Sequence, residues 1–422
     1  MHGQSSAITH TVLANGMRVI EMPMQGRLAA AVSIVFAAGS RHEHADEIGV
    51  AHLLEHLAFK GTEKHRTARD LNRAAEYLGS EMSGGTTTDY VELSAAVQAE
   101  SVMAMLDLLS DLGGRPLLQA DHLPTERTVI LQEIADEQDD PAYRADARLD
   151  KALFAGHRLG MDIAGDVSHV QSLTIDQVRG FYERQWNPQN GLAVIAGNLD
   201  YLDRDLLSEL LLRIGSSGRP TPLPPPPPFV RRVEVEEHES DVVHLRLAYP
   251  ITELTLSESH NRAVAEVYSD LLGGPMGSRL FEDLREEHGL CYWVDGYVWG
   301  YGDALSFLSV DCSVHPSDLL QTLERIERIV MSLGQHRPTE EEVLRARAYA
   351  VGTLVRTYES THARANHAVE LVMEYDDEDV DPLRYLAEIS SVSVKEVQEL
   401  AAMVKSGPCV GCVGPINEGV FL

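Results

Sequence analysis

The chain has 422 residues, 44% of them hydrophobic and 24% charged, an ordinary globular balance and enough length for two domains or more. Its net charge of −30, from 35 Lys and Arg against 65 Asp and Glu, argues against nucleic acid as a partner, because phosphate binding needs a basic surface. No apolar run reaches the roughly 18 residues of a membrane helix, and the segment from Met1 to Ser6 lacks the basic and apolar regions of a signal peptide. The expectation is a cytoplasmic protein with no membrane partner.

In chain order, the apolar run Ala29 to Ala38 fits a buried strand, and Thr86 to Val97 alternates as a half-exposed strand does. Helical periodicity covers Ala68 to Leu78, Ser101 to Leu112 and Pro124 to Leu153. The proline-rich stretch Arg219 to Phe229 predicts an extended, stiff linker close to the midpoint. Beyond it come a strand at Val242 to Tyr249, helices at His260 to Leu272 and Leu319 to Leu333, and a long helix from Pro338.

The two sides of the linker echo each other. Ser172 to Val178 resembles Ser391 to Val397 at an offset of 219. Each segment holds a capping box, Thr174 with Gln177 and Ser393 with Glu396, which marks a helix start. Each is followed by a glycine-bounded apolar strand, Gly191 to Gly197 and Gly407 to Gly414. Pro124 to Arg127 resembles Pro338 to Glu341 at an offset of 214. Three matches in one order predict a duplicated domain. The expected class is α+β, each half a mixed or antiparallel sheet packed with helices. The expected boundaries are 1–215 for the first half, 216–232 for the linker and 233–422 for the second half. Cys409 and Cys412 have C-x-x-C spacing, but they lie in an apolar run that reads as a last buried strand.

The chemistry concentrates early. His52 and His56 stand at i and i+4 with Glu55 between them, so on a helix all three share one face. Two imidazoles one turn apart can hold one Zn²⁺, and the neighbouring carboxylate can activate a water. This is the inverted zincin order H-x-x-E-H. Alone, it also fits a helix with two surface histidines. Glu126 and Glu133 lie two turns apart on a later predicted helix, a pattern that usually marks only a solvated face.

Several segments together resemble the pitrilysin–insulysin peptidases, in their bacterial branch similar to mitochondrial processing peptidase. They are Ala38 to Glu43, Gly49 to Thr62, Glu126 to Ile134 with Asp140-Pro141, and Gly277 to Tyr292. They run through nearly the whole chain in that family's order. In the family a Glu follows the metal motif at a set distance, and the interval from His56 to Glu133 matches it. The resemblance implies two halves facing each other as a clam shell around a chamber. It implies His52, His56 and Glu133 as ligands of one Zn²⁺, Glu55 as general base toward the zinc-bound water, and Glu126 as a residue orienting a ligand. From the second half it implies Arg285 and Tyr292 as substrate-reaching residues, with Tyr292 as donor to the oxyanion.

One stretch departs from the pattern. Where the family has Asn-Ala-x-Thr on a substrate-pairing strand, this chain has Ser83, Gly84, Gly85 and Thr86. Ser83, Gly84 and Thr86 are therefore carried as substrate-edge residues through main-chain pairing alone. At the offset of 214, Glu133 falls opposite Arg347, so the second half is expected to hold no metal. The implied activity is zinc-dependent endopeptidase action on short or unfolded peptides. The alternative is a non-catalytic or partner subunit of a heteromeric processing peptidase. The acidic balance, with clusters at Asp136–Asp140 and Tyr375–Asp379, fits a preference for basic peptides. The branch implies a homodimer or a heterodimer with a related chain.

Overall fold

A computed structural model describes residues 7–215, 223, 225–301 and 305–421. Residues 216–222 and 224 of the expected linker lie outside the described residues. The chain is α+β, with one sheet in each of two compact units.

The sheet of the first unit contains β1 (Thr9–Val12), β2 (Arg18–Pro23), β3 (Ala29–Phe36), β4 (Ser83–Thr86), β5 (Val91–Gln98) and β6 (Gly191–Gly197). Their spatial order is β1-β2-β6-β3-β5-β4, so β4 is an edge. The sheet of the second unit contains β7 (Val233–Glu237), β8 (Val243–Ile251), β9 (Cys291–Tyr301), β10 (Leu305–Val314) and β11 (Cys409–Gly414), in the order β7-β11-β8-β10-β9. Without β1, the two orders are the same permutation. In each, the first and last strands pair in parallel and the other pairs are antiparallel. Both expected capping boxes are formed, at Thr174 and at Ser393, and each precedes its parallel-paired strand.

Side-chain alternation explains the layering. Ala30, Val32, Ile34 and Phe36 of β3 and Val91, Leu93, Ala95 and Val97 of β5 face one core. That core is completed by α1 (Val50–Ala58), α2 (Ala68–Tyr77), α3 (Val102–Gly114) and α4 (Leu123–Gln138). The second unit repeats this with Leu245, Leu247 and Tyr249 of β8 packed under the helices Ser259–Leu272 and Leu319–Gln335.

The expected helix from Pro124 to Leu153 is two helices. The chain breaks at Asp139 and restarts as α5 (Pro141–Leu153), with the Asp140 side chain accepting from the Ala142 N–H. Pro141 lacks an N–H and restricts the residue before it, so it starts a helix rather than continuing one. The expected strand Thr86 to Val97 is a hairpin, turned where the Thr87 N–H donates to the Tyr90 carbonyl at 2.8 Å.

The compact units cut across the expected boundaries. The first contains the described residues of 1–135, 162–224 and 357–373, and the second those of 136–161, 225–356 and 374–422. Thus α5 packs on the sheet of the second unit, so closely that a Cβ on Gly411 would run into the Leu149 backbone. The stretch 357–373, most of the helix Thr361–Glu374, belongs to the first unit, where Thr361 lies against Gly197 of β6. The four cysteines are buried thiols, and Cys409 and Cys412 sit inside β11 as its apolar sequence predicts. No helix among the described residues is long and apolar enough to cross a membrane.

Candidate metal centre

The α1 helix begins after Gly49, whose positive φ of 86° suits glycine. The Glu43 carboxylate caps this end by accepting from the N–H groups of Gly49 and Ala51 at 3.0 Å each. Leu53, Leu54 and Leu57 anchor the helix in the core, which leaves His52, Glu55 and His56 half-buried on the other face.

That face meets α4. The Nε2 atoms of His52 and His56 are 3.2 Å apart, and Glu133 Oε2 lies 3.5 Å from His56 Nε2 and 3.9 Å from His52 Nε2. Tetrahedral ligands bonded about 2.0–2.2 Å from a zinc ion stand roughly 3.3–3.6 Å from one another. The three atoms therefore fit one ion, and a His₂Glu set leaves a fourth position open, as catalytic zinc sites do. Burial, with a smaller push from His56, lowers the His52 pKa to about 4, so its ring is neutral at pH 7, the form that binds metal.

Glu126 stands one layer behind. It is buried, its Oε2 is 3.4 Å from His56 Nδ1, and its Oε1 accepts from Lys60 Nζ at 2.8 Å. A carboxylate behind a ligating imidazole fixes the ring's tautomer and orientation. Lys60 carries no sequence signal of its own beyond lying one turn after His56. The structure shows it as the counter-charge that lets Glu126 stay buried.

Glu55 points toward the edge strand. Its Oε2 accepts from the Thr86 hydroxyl at 2.9 Å. A Cβ on Gly84 would lie 2.5 Å from Glu55 Oε1 and 2.7 Å from the Phe59 ring, so β4 runs directly against this carboxylate. Burial pushes the Glu55 pKa up, Thr86 and His56 pull it back, and Glu133 adds a smaller upward push. Ser83 is exposed and lies at the start of β4, away from these contacts.

Arg285 and Tyr292 are neighbours in the second unit. Arg285 lies on a π-helical segment, Phe281–Glu287, and Tyr292 near the start of β9. The guanidinium sits 4.7 Å from the centre of the Tyr292 ring and 4.8 Å from that of Phe281. Tyr292 is 79% exposed. The π-helical geometry also recurs at functional sites.

Two expectations change in the light of the contacts. In the acidic run 375–379, Asp377 pairs with the buried Arg262, which stacks over Tyr375 at 5.0 Å, and Asp379 pairs with Arg384. Part of that run is structural. The offset of 214 also misplaces Arg347. Its guanidinium donates to the carbonyls of Ser390 and Val392, just before the Ser393 cap. Arg127 donates to Val170 and Leu173, just before the Thr174 cap. Arg347 is thus the counterpart of Arg127, at an offset of 220, and not of Glu133.

The comparisons with known proteins agree with this architecture. A family model described as Insulinase (Peptidase family M16) matches residues 21–167, and one described as Peptidase M16 inactive domain matches residues 172–349. An uncharacterized zinc protease of Streptomyces coelicolor is 29% identical over 423 residues, covering 97% of this chain and 90% of that protein. The crystal structure of a protease from Helicobacter pylori shares the fold at a TM-score of 0.84 and 18% identity, over 97% of this chain and all 100% of that one. A chain of complex III2 from Candida albicans does so at 0.82 and 15%, over 98% and 97%. The two family matches take in most of the sequence, one on each side of residue 170, and the chain belongs to the M16 peptidase family.

Proposed function

We propose that this protein is a zinc-dependent endopeptidase that hydrolyses short or unfolded peptides. The observation that carries the reading is the convergence of His52 Nε2, His56 Nε2 and Glu133 Oε2 at separations suited to one tetrahedral ion, with the Glu55 carboxylate on the same helix face. Zn²⁺ held by these three side chains would polarise a peptide carbonyl and lower the pKa of a coordinated water.

The rest of the chemistry belongs to the chain. Glu55 accepts a proton from the attacking water and returns it to the departing amine. Thr86 holds the Glu55 carboxylate in one orientation, and Glu126, backed by Lys60, holds the His56 ring. An extended peptide adds to the free edge of β4 through main-chain hydrogen bonds, with Ser83, Gly84 and Thr86 along that edge. Tyr292 donates its hydroxyl to the oxygen that becomes negative as the peptide bond is attacked, and Arg285 adds positive charge beside it.

The likeness to a chain of complex III2 raises the reading of a non-catalytic subunit, but at 15% identity it concerns the fold alone. A full set of His52, Glu55, His56 and Glu133, on a chain that also carries Arg285 and Tyr292, favours the enzyme. The test is hydrolysis of internally quenched peptides by the purified protein, with and without a chelator, beside Glu55→Gln. Zinc-dependent cleavage lost in Glu55→Gln supports the proposal. Cleavage that survives either treatment, or none by the zinc-loaded protein, overturns it.

A further inference from the structure

One largely buried carboxylate of the first unit has no part in the metal centre. Glu92 lies on β5 between Val91 and Leu93, both fully buried in the helix-covered core, so its side chain emerges on the opposite face of the sheet. Its Oε1 atom is buried and, among the described residues, has no hydrogen-bond partner. Burial pushes its pKa up, against smaller opposing pulls from Ser33 on β3 and His362 on the helix Thr361–Glu374. A carboxylate kept in such a place is costly unless something cationic meets it.

The register shows the direction from which a cation can arrive. Glu92 pairs across the strands with Val35 on one side and with Gly85 on the other. Gly85 belongs to the edge strand β4, and a Cβ built on it would meet nothing within 4 Å. Its neighbour Gly84 faces the other way, onto Glu55. Next to Glu92 there is therefore a side-chain-free step on the open edge. A strand added to β4 would run about 10 Å from β5, two strand spacings. Every second residue of that strand faces the Glu92 side of the sheet. With no side chain on Gly85 to block the way, the long stem of a Lys or Arg can cross β4 and bring its charge to the carboxylate.

We propose that Glu92 is a specificity-determining residue that receives, across Gly85, the ammonium or guanidinium of a Lys or Arg side chain in an extended peptide paired with β4. This rests on the peptide-edge reading given above and adds the class of side chain recognised. It also places the preference for basic peptides on one residue, where the overall charge of −30 offers only a diffuse field.

The experiment uses matched peptides in which Lys is scanned through each position and compared with norleucine, which keeps the stem and removes the charge. Two readouts are taken: kcat/KM for the zinc-loaded enzyme, and Kd by fluorescence anisotropy for the Glu55→Gln protein. One position is expected to favour Lys by about tenfold to a hundredfold in both, the range of a hydrogen bond to a charged group. Glu92→Gln should bring that ratio close to one, and Gly85→Val, which closes the path and leaves the carboxylate, should do the same. Thermal melts check that each variant is folded. If cleavage occurs with no Lys preference, or if the preference survives Glu92→Gln, Glu92 is not the recognising group while the peptidase reading stands. Should Glu55→Gln bind with a Glu92-dependent Lys preference while the loaded enzyme cuts nothing, the catalytic reading fails and this one stands. Absence of both binding and cleavage overturns both.

Discussion

Thr86→Val tests how Glu55, the proposed general base, is held. Valine keeps the shape of threonine and its place on β4, so the packing against α1 is preserved, but the donor to Glu55 Oε2 at 2.9 Å is gone. Glu55 is largely withdrawn from water, and burial already works against its charged form. A hydrogen bond to an ionised group contributes about 1.5–3 kcal/mol, and about 1.4 kcal/mol is a factor of ten. If the bond's role is to orient the carboxylate during proton transfer, kcat should fall by about 10- to 150-fold. KM should stay near normal, because the proposed pairing of Thr86 with substrate uses its main chain alone. Zinc content, measured by mass spectrometry, should match that of the wild type, since Thr86 is bonded to Glu55 and not to a candidate ligand. Thr86→Ser, which restores the hydroxyl, should recover most of the rate. A Thr86→Val enzyme with wild-type kcat would refute the argument. A variant that loses zinc would show that the hydroxyl supports the metal cluster instead.

Three further outcomes are expected. His52→Ala, His56→Ala and Glu133→Gln should each lose bound zinc, whereas Glu55→Gln should retain it and lose turnover by about 10²–10⁴-fold; full occupancy in Glu133→Gln would remove that residue from the ligand set. Tyr292→Phe should lower kcat by about 10²–10³-fold with zinc content and melting temperature unchanged, and a full-rate variant would end its assignment as oxyanion donor. Asp270 is pushed up to about 8 by burial, with Glu266 and Asp295 adding to it. Its folded pKa therefore exceeds its unfolded value, so it contributes stability below about pH 4 that is lost as pH rises toward 8. The melting temperature of Asp270→Asn should gain on the wild type between about pH 5 and pH 8.5, and an equal difference at both pH values would contradict this.

How much of this can be read from the sequence depends on how local each signal is. The histidine helix is legible because His52, Glu55 and His56 need only one helical turn to converge, and the interval to Glu133 points to the third candidate ligand. The capping boxes at Thr174 and Ser393 are legible for the same reason, since each closes within a single turn. The break between α4 and α5 is written in Asp140-Pro141, yet apolar periodicity on both sides conceals it. The turn at Thr87 to Tyr90 is hidden because alternation continues through it. Lys60 escapes notice, because its importance comes from Glu126, far along the chain, and no periodicity marks a salt bridge. The exchange of α5 and of 357–373 between units is equally invisible, for nothing in either helix names the sheet that it covers.

The repeated architecture also explains why the counterpart of α4 in the second unit lacks the carboxylates that face the histidines in the first. Once Arg347 is matched to Arg127, the buried positions of the two long helices come into register. Glu126 and Ile130 of α4 correspond to Ala346 and Ala350 of the helix Glu340–Thr357, all four of them buried. On the same offset Glu133 corresponds to Thr353. The second unit therefore has a methyl group in place of the buried carboxylate and a neutral hydroxyl in place of the half-exposed candidate ligand. It has the same arginine tying the helix to the following capped turn. The contact present in both copies is the one that holds the fold. The pair that differs has no structural work once the histidines are absent, since a buried Glu126 without an imidazole and Lys60 beside it would be an uncompensated charge. Absence of metal ligands and absence of their supporting carboxylate are thus expected to go together. Placing a carboxylate at Ala346 alone, as Ala346→Glu, should lower the melting temperature and leave the zinc content per chain unchanged, and a variant that melts with the wild type would contradict the reasoning.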